Sequence, residues 1–203
     1  ISLMLRDALL LADGDESFRI VGAGGKRLRL CECGTARDAG LDGFDWRLSM
    51  ATVAIDGPFS VFPGIDRSLA VIRGAGMELS VAGVGSCSLD PAAEPFAFPA
   101  DQPTTARLID GPITDLNLMT RRAGFVHEME RMRVAGPVDL AVVSEVVLLL
   151  CVSGQVGVQI RGETVDLAPL DALLIDRRGL AEAGGVDGEG LLMVCRIRER
   201  MPA

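Results

Sequence analysis

A period of two along residues 46–55 constrains this chain more than any other feature. Trp46, Leu48, Met50 and Thr52 fall on one side of that stretch, and Arg47, Ser49, Ala51 and Val53 on the other. This is the alternation of a β-strand, not the three-to-four spacing of a helix. Asp56, Gly57 and Pro58 end it, because Asp and Gly accept turn conformations and Pro removes a ladder donor. A second break follows at Pro63 and Gly64, and around it lie Phe59, Ser60, Phe62, Asp66 and Arg67, just before an apolar run at 69–72. Reversing a chain does not require an aromatic and charged cluster, so this loop is the first candidate for function.

Short alternating segments separated by turn residues continue along the chain. Gly74, Ala75 and Gly76 sit between residues 69–73 and 77–81 with the spacing of a short hairpin. Residues 88–90, 94–98, 105–109 and 114–120 read as further strands, divided by Pro99 to Asp101 and by Asp110, Gly111 and Pro112. Residues 1–18 read as a strand or a short helix covering a sheet edge. Residues 19–33 read as a Gly-rich turn entering a strand. A phosphate-cradling loop is excluded there, since such loops open a helix and no helical pattern follows. Residues 123–138 differ, with Phe125, Met129 and Met132 at helical spacing, and read as a short helix or as a linker ending near Gly136 and Pro137. An apolar run at 142–152 reads as a buried strand or two, which Gly154 turns into Val156, Val158 and Ile160.

The two halves repeat each other. Gly76 corresponds to Gly154, Glu94 to Asp171, and the Asp110–Gly111 turn to Asp187–Gly188, at separations of 78, 77 and 77 residues. A near-constant offset over turn positions predicts two copies of one β unit, too few for a solenoid. The expectation is an all-β chain with two stacked barrels, at 1–122 and 141–203, joined by a linker at 123–140. At 203 residues each part has enough chain to bury a core.

Charge and cysteine usage narrow the partners. A net charge of -8 opposes a nucleic-acid surface, which needs clustered Lys and Arg. The five cysteines (Cys31, Cys33, Cys87, Cys151, Cys195) are odd in number and form no framework, which suits a reducing, cytoplasmic compartment. Arg6 and Asp7 interrupt the apolar start, so a secretory leader is not expected, and the run at 146–152 is far too short to span a membrane.

The stretch DGPFSVFPGIDR at 56–67, followed by an apolar strand and a Gly-x-Gly turn, resembles the signature of the HutD/Ves family of small bacterial bicupins linked to histidine utilisation. EPFAFPADQPTTARLIDGPITDLNLMTRR at 94–122 resembles that family's next segment. The resemblance implies a bicupin fold, two similar jelly-roll cupin barrels, and a small-molecule site. It implies no established reaction. In the family a Trp-Lys-Asn-Gly-Gly-Gly element precedes these blocks; here Ile20, Val21, Gly22, Ala23, Gly24 and Gly25 stand in its place, so only the glycine turn is kept.

Metal-dependent cupins resemble one another in carrying an H-x-H pair, a Glu and a third His. This chain has one histidine, His127, so that metal site cannot be assembled, a conventional Ser-His-acid triad is excluded unless His127 is brought to a pocket, and no cofactor is expected. The polar residues expected on inward strand positions are Arg47 and Ser49 on one strand and Asp115, Asn117 and Met119 on another, where an unanswered charge would be costly. Arg67, with Asp66 beside it, is the foremost ligand candidate, because a guanidinium fork suits a carboxylate. Its alternative role is an internal pair with Asp56, Asp66 or Asp115. Phe59 belongs to the same candidate site, as a barrel plug or a stacking surface.

Three functions remain open on the sequence. The chain binds or senses a small anionic metabolite, such as a formylated or formimino glutamate of histidine breakdown. It is a metal-free enzyme on a similar acid, with Asp66 or Asp115 as acid–base group. Or it is a structural module whose pocket has closed. The oligomeric state is left open, a homodimer among the alternatives.

Overall fold

The computed structural model of the chain describes residues 8–12, 19–22, 27–29, 44–142, 144, 146–160, 162–176 and 182–201. Among these residues every regular element is a strand, and no helix is long and apolar enough to cross a membrane. Three short strands come first: β1 (Ala8–Ala12), β2 (Arg19–Gly22) and β3 (Arg27–Arg29). Then follow β4 (Trp46–Val53), β5 (Gly57–Pro58), β6 (Ile65–Arg73), β7 (Met77–Val81), β8 (Gly85–Leu89), β9 (Phe96–Pro99), β10 (Thr104–Leu108) and β11 (Ile113–Arg121). The chain continues with β12 (Phe125–Ala135), β13 (Val138–Val142), β14 (Val146–Ile160), β15 (Glu163–Leu167), β16 (Asp171–Asp176) and β17 (Glu182–Glu199).

The described residues divide into two units, one holding 8–12, 44–126 and 200–201, the other holding 19–22, 27–29 and the described part of 127–199. The first unit has two sheets, ordered β1-β4-β11-β6-β9 and β5-β10-β7-β8. Their facing side chains make its core, with Leu69 and Val71 from one sheet against Met77, Leu79 and Val81 from the other. Complete burial of such a side chain contributes roughly 1.5–3 kcal/mol relative to exposure. In β6 and β11 the residues on both faces are buried from the third to the eighth position. Each therefore reads as an apolar run with a few embedded polar residues, as strands covered on both faces do.

The second unit contains one sheet ordered β12-β17-β14-β16-β2-β3, with β13 also on β17 and β15 also on β14. Its pairing scheme matches the first. In the first unit β6 pairs with β9 and β11, and β7 with β8 and β10. In the second, the first half of β14 pairs with β16 and the end of β17, and its second half with β15 and the start of β17.

Three expectations are corrected. The segment at 123–140 is neither helix nor linker, since β12 and β13 occupy most of it and the boundary between units falls inside β12. Its alternation slips phase: His127, Met129 and Arg131 are half-buried with Glu128 and Glu130 exposed between them, whereas Met132 and Val134 take over the inward positions afterwards. That slip makes two strand halves look like a helical repeat.

The glycines at 74 and 76 do not form a hairpin. β6 and β7 lie in different sheets, so the chain passes from one sheet to the other. Gly74 (φ 95°) and Gly76 (φ 115°) occupy the left-handed region there, and a Cβ on either would meet a backbone oxygen, of Pro112 at 2.6 Å and of Leu89 at 2.5 Å. Gly154 likewise lies within a continuous strand, next to a register shift between Cys151 and Ser153.

The first 122 residues are not one unit. β2 pairs in parallel with β16, and β3 with β2, in the second unit. β1 does pair with β4, at the edge of the five-stranded sheet. The family's lost Trp-Lys-Asn element corresponds partly to β2, while residues 23–26 and the Cys31–Cys33 pair lie outside the described residues.

Candidate functional site

Register converts the alternation of β4, β6 and β11 into an interior grid. On β11 Asp115, Asn117 and Met119 point to the face that carries Val71, Leu69 and Arg67 on β6. They stand opposite Ala51, Ser49 and Arg47 on β4. Because Leu69 and Val71 belong to the core between the sheets, the polar members of the grid share that interior side. Arg67 is 3% exposed, Asp115 0%, Asn117 5% and Ser49 4%. Arg47 is half-buried.

Arg67 sits in an aromatic enclosure. Its guanidinium carbon lies 5.1 Å from the ring centre of Phe62, 5.5 Å from Phe59 and 5.8 Å from Phe98, within range for cation–π attraction. Nη2 donates a weak hydrogen bond to Met119 Sδ at 3.8 Å. Burial lowers the Arg67 pKa to about 10; Asp115 opposes that shift and Arg47 adds to it. The group is therefore charged at neutral pH, in a place where charge is costly.

Asp115 is the counterpart. Burial raises its pKa to about 6, against the lowering effects of the Asn117 hydrogen bond, the Arg67 charge and the Ala51 backbone. Asn117 Nδ2 donates to Asp115 Oδ1 at 2.8 Å. Among the described residues, Arg67 Nε, Asp115 Oδ2 and Asn117 Oδ1 are buried with no hydrogen-bond partner. Buried polar atoms are nearly always satisfied, so three orphans on one interior face mark a place built for something more than packing.

The linkage has a definite sign. A carboxyl whose folded pKa of about 6 exceeds its usual value of about 3.9 binds its proton more tightly in the folded state. The charged form is destabilising above pH 6, and that cost is relieved as pH falls from 6 towards 4. Asp115→Asn is thus expected to raise unliganded stability at pH 7.5 by on the order of 2 kcal/mol, and to match the wild type near pH 4. Urea unfolding of both proteins at the two pH values checks this. An Asp115→Asn protein less stable than wild type at pH 7.5 contradicts it.

Two candidates are not brought to the grid. Asp66 precedes Arg67 on β6 and so faces the other way, where Arg122 Nε donates to its Oδ1 at 2.7 Å. The same guanidinium binds Asp101 through Nη1 and Nη2 and the Ile65 carbonyl through Nη2, tying β6, β9 and the end of β11 together. These carboxylates push the Arg122 pKa up, and Arg122 holds the Asp101 carboxyl below its usual range. Asp56 is exposed, and its Oδ1 accepts the Leu108 N–H at 2.8 Å, fixing the turn after β4. Of the three carboxylates weighed as internal partners of Arg67, only Asp115 is near it, and no ion pair joins them among the described residues.

Phe62, from the loop already singled out with Phe59, and Phe98, which was not among the expected site residues, complete the enclosure. Phe98 stands opposite Arg67 in the β6–β9 register. Its alternation with Phe96 was visible, but nothing local identifies the partner strand. His127 belongs to the second unit. Among the described residues no three His, Cys, Asp or Glu side chains gather where a metal could be held.

Known proteins agree with this architecture. The HutD family model matches residues 27–193. An uncharacterized 21.2 kDa protein from the hutC 3' region of Pseudomonas putida is 33% identical over 165 residues, covering 79% of this chain and 83% of that one. The crystal structure of a conserved protein of unknown function from Pseudomonas aeruginosa is 32% identical with a TM-score of 0.72, over 80% of this chain and 86% of that chain. The structure of HutD from Pseudomonas fluorescens, in a formate condition, is 32% identical with a TM-score of 0.67, over 86% and 88%. A family match across most of the sequence, with relatives at a third identity over about four fifths of it, places the chain in the HutD family.

Proposed function

We propose that the protein is a non-catalytic binder or sensor of a small anionic metabolite, serving histidine utilisation as a cytoplasmic accessory protein. The observation that carries this reading is Arg67: a charged guanidinium, 3% exposed, enclosed by three phenylalanines, with Nε unpartnered among the described residues. A carboxylate is the natural acceptor for such a fork. Asp115, Asn117, Ser49, Arg47 and Met119 complete the floor of the site, and Phe59 its wall. Asp66 and Asp56 support the fold around it instead.

The family association with the hut region of Pseudomonas suggests an intermediate of histidine degradation, such as a formylated or formimino glutamate. The matching pairing schemes of the two units support the finer architecture of a bicupin, two cupin barrels in one chain. An enzymatic reading keeps one supporting observation, the Asp115 carboxyl with a pKa near that of a general acid–base group.

Thermal unfolding against a panel of small acids tests the reading. A ligand at a hundredfold excess over its Kd should raise the midpoint by about 5 °C or more, because it binds the folded state selectively. A panel of formate, glutarate, N-formyl-L-glutamate and N-formimino-L-glutamate with no shift at millimolar concentration overturns it. Conversion of a bound acid, followed by NMR, would move the protein to the enzymatic class.

A further inference from the structure

We propose that the molecule accepted at this site is dipolar: a carboxylate at Arg67, and a cationic nitrogen group with at least two N–H donors at Asp115 and Asn117. This rests on the anion-binding reading and goes further by assigning the opposite end of the ligand. Arg67 Nε can only donate. A carboxylate only accepts, so Asn117 must turn its amide nitrogen towards Asp115 Oδ1, as it does at 2.8 Å. Asn117 Oδ1 is thereby left as an acceptor on the same strand face as Asp115 Oδ2, and both are buried and unpartnered among the described residues. One end of the site therefore asks for an acceptor and the other for two donors.

Separation and charge both favour this assignment. Arg67 stands opposite Met119 and Asp115 opposite Val71, with the Leu69–Asn117 pair between them. The two ends are four residues apart along the strands, about 13 Å between backbone positions, and no ion pair joins the Arg67 and Asp115 side chains among the described residues. A one-carbon acid answers only the Arg67 end. A plain dicarboxylate would set its second charge against Asp115 and leave Asn117 Oδ1 without a donor. An amidinium answers both acceptors, being planar, charged and furnished with more than one N–H.

N-formyl-L-glutamate and N-formimino-L-glutamate are a minimal pair, since a carbonyl oxygen in the first is replaced by a protonated nitrogen in the second. Calorimetric titration at pH 7.5 is expected to show the formimino compound binding at least tenfold more tightly than the formyl compound or glutarate. Asp115→Asn keeps the shape of the site and removes its charge, so it should reduce that preference to near unity. Equal binding of the three acids by the wild type overturns the dipolar assignment while leaving an anion site in place. The same holds if Asp115→Asn retains the tenfold preference. If none of the three acids binds, the anion-binding reading fails and this assignment fails with it.

Discussion

Arg67→Met is expected to weaken carboxylate binding by a hundredfold or more, about 2.7 kcal/mol, while changing the unliganded stability by no more than about 1 kcal/mol. The two halves of that expectation have separate causes. Binding falls because the buried donor fork is gone, and Arg47, the other cation of that row, is half-buried and stands beyond Met119 on β4. Stability holds because the guanidinium is not satisfied by its surroundings: burial outweighs the help of Asp115 and lowers its pKa to about 10. Methionine keeps the unbranched stem out to about the position of Nε, is flexible, and makes favourable sulfur–aromatic contacts with the phenylalanines around it. Replacing buried charged groups by apolar side chains is commonly neutral or stabilising where no paired charge is left behind, and no ion pair joins Arg67 to Asp115 among the described residues. Against this, Asp115 loses a neighbouring positive charge, and it responds by protonating at higher pH. Calorimetry and urea unfolding on the same variant separate the effects. A stability loss of about 3–5 kcal/mol would identify Arg67 as the structural partner of Asp115 and remove the main support for a ligand there.

The interior grid was legible because it follows from period two alone. Once 46–55 and 114–120 are read as strands, Arg47 and Ser49 share one face and Asp115, Asn117 and Met119 another. The register then needs only to bring those faces together, as it does. The same rule argues against Asp66, because neighbours on a strand face opposite ways; proximity in sequence was misleading where alternation was informative. Pairing across the chain was less legible. Two glycines between apolar runs suit a hairpin and a passage between sheets equally well, and the choice depends on which strand edges are free, a non-local property. β12 was hidden by its phase slip, which imitates helical spacing over the short window from Phe125 to Met132. The aromatic enclosure was only half visible, because Phe98 reaches Arg67 through the register of β9 rather than through the loop that carries Phe59 and Phe62.

The largest effect on stability is expected at Gly154. Its φ of 81° lies in the left-handed region, which alone costs an L-residue about 1–2 kcal/mol. A Cβ there would stand 2.0 Å from the Glu189 carbonyl oxygen and 2.6 Å from the Gly190 Cα. Both are backbone atoms of β17, the strand that pairs along most of β14, so neither can swing aside as a side-chain tip would. The facing strand is similarly tight, with a Cβ on Gly190 falling 2.4 Å from the Ser153 carbonyl oxygen. Relief would require separating β14 from β17 where their register already shifts between Cys151 and Ser153, disturbing the core that Cys151, Val156 and Leu192 share. Gly154→Ala should therefore cost about 3 kcal/mol or more. Gly162→Ala supplies the comparison, because Gly162 has a similar φ of 76° with nothing within 4 Å of its Cβ position, and should lose only the conformational part, about 1 kcal/mol. Urea unfolding of the two variants isolates the steric contribution. If Gly154→Ala is no worse than Gly162→Ala, the close approach of β14 and β17 does not set the stability of the second unit.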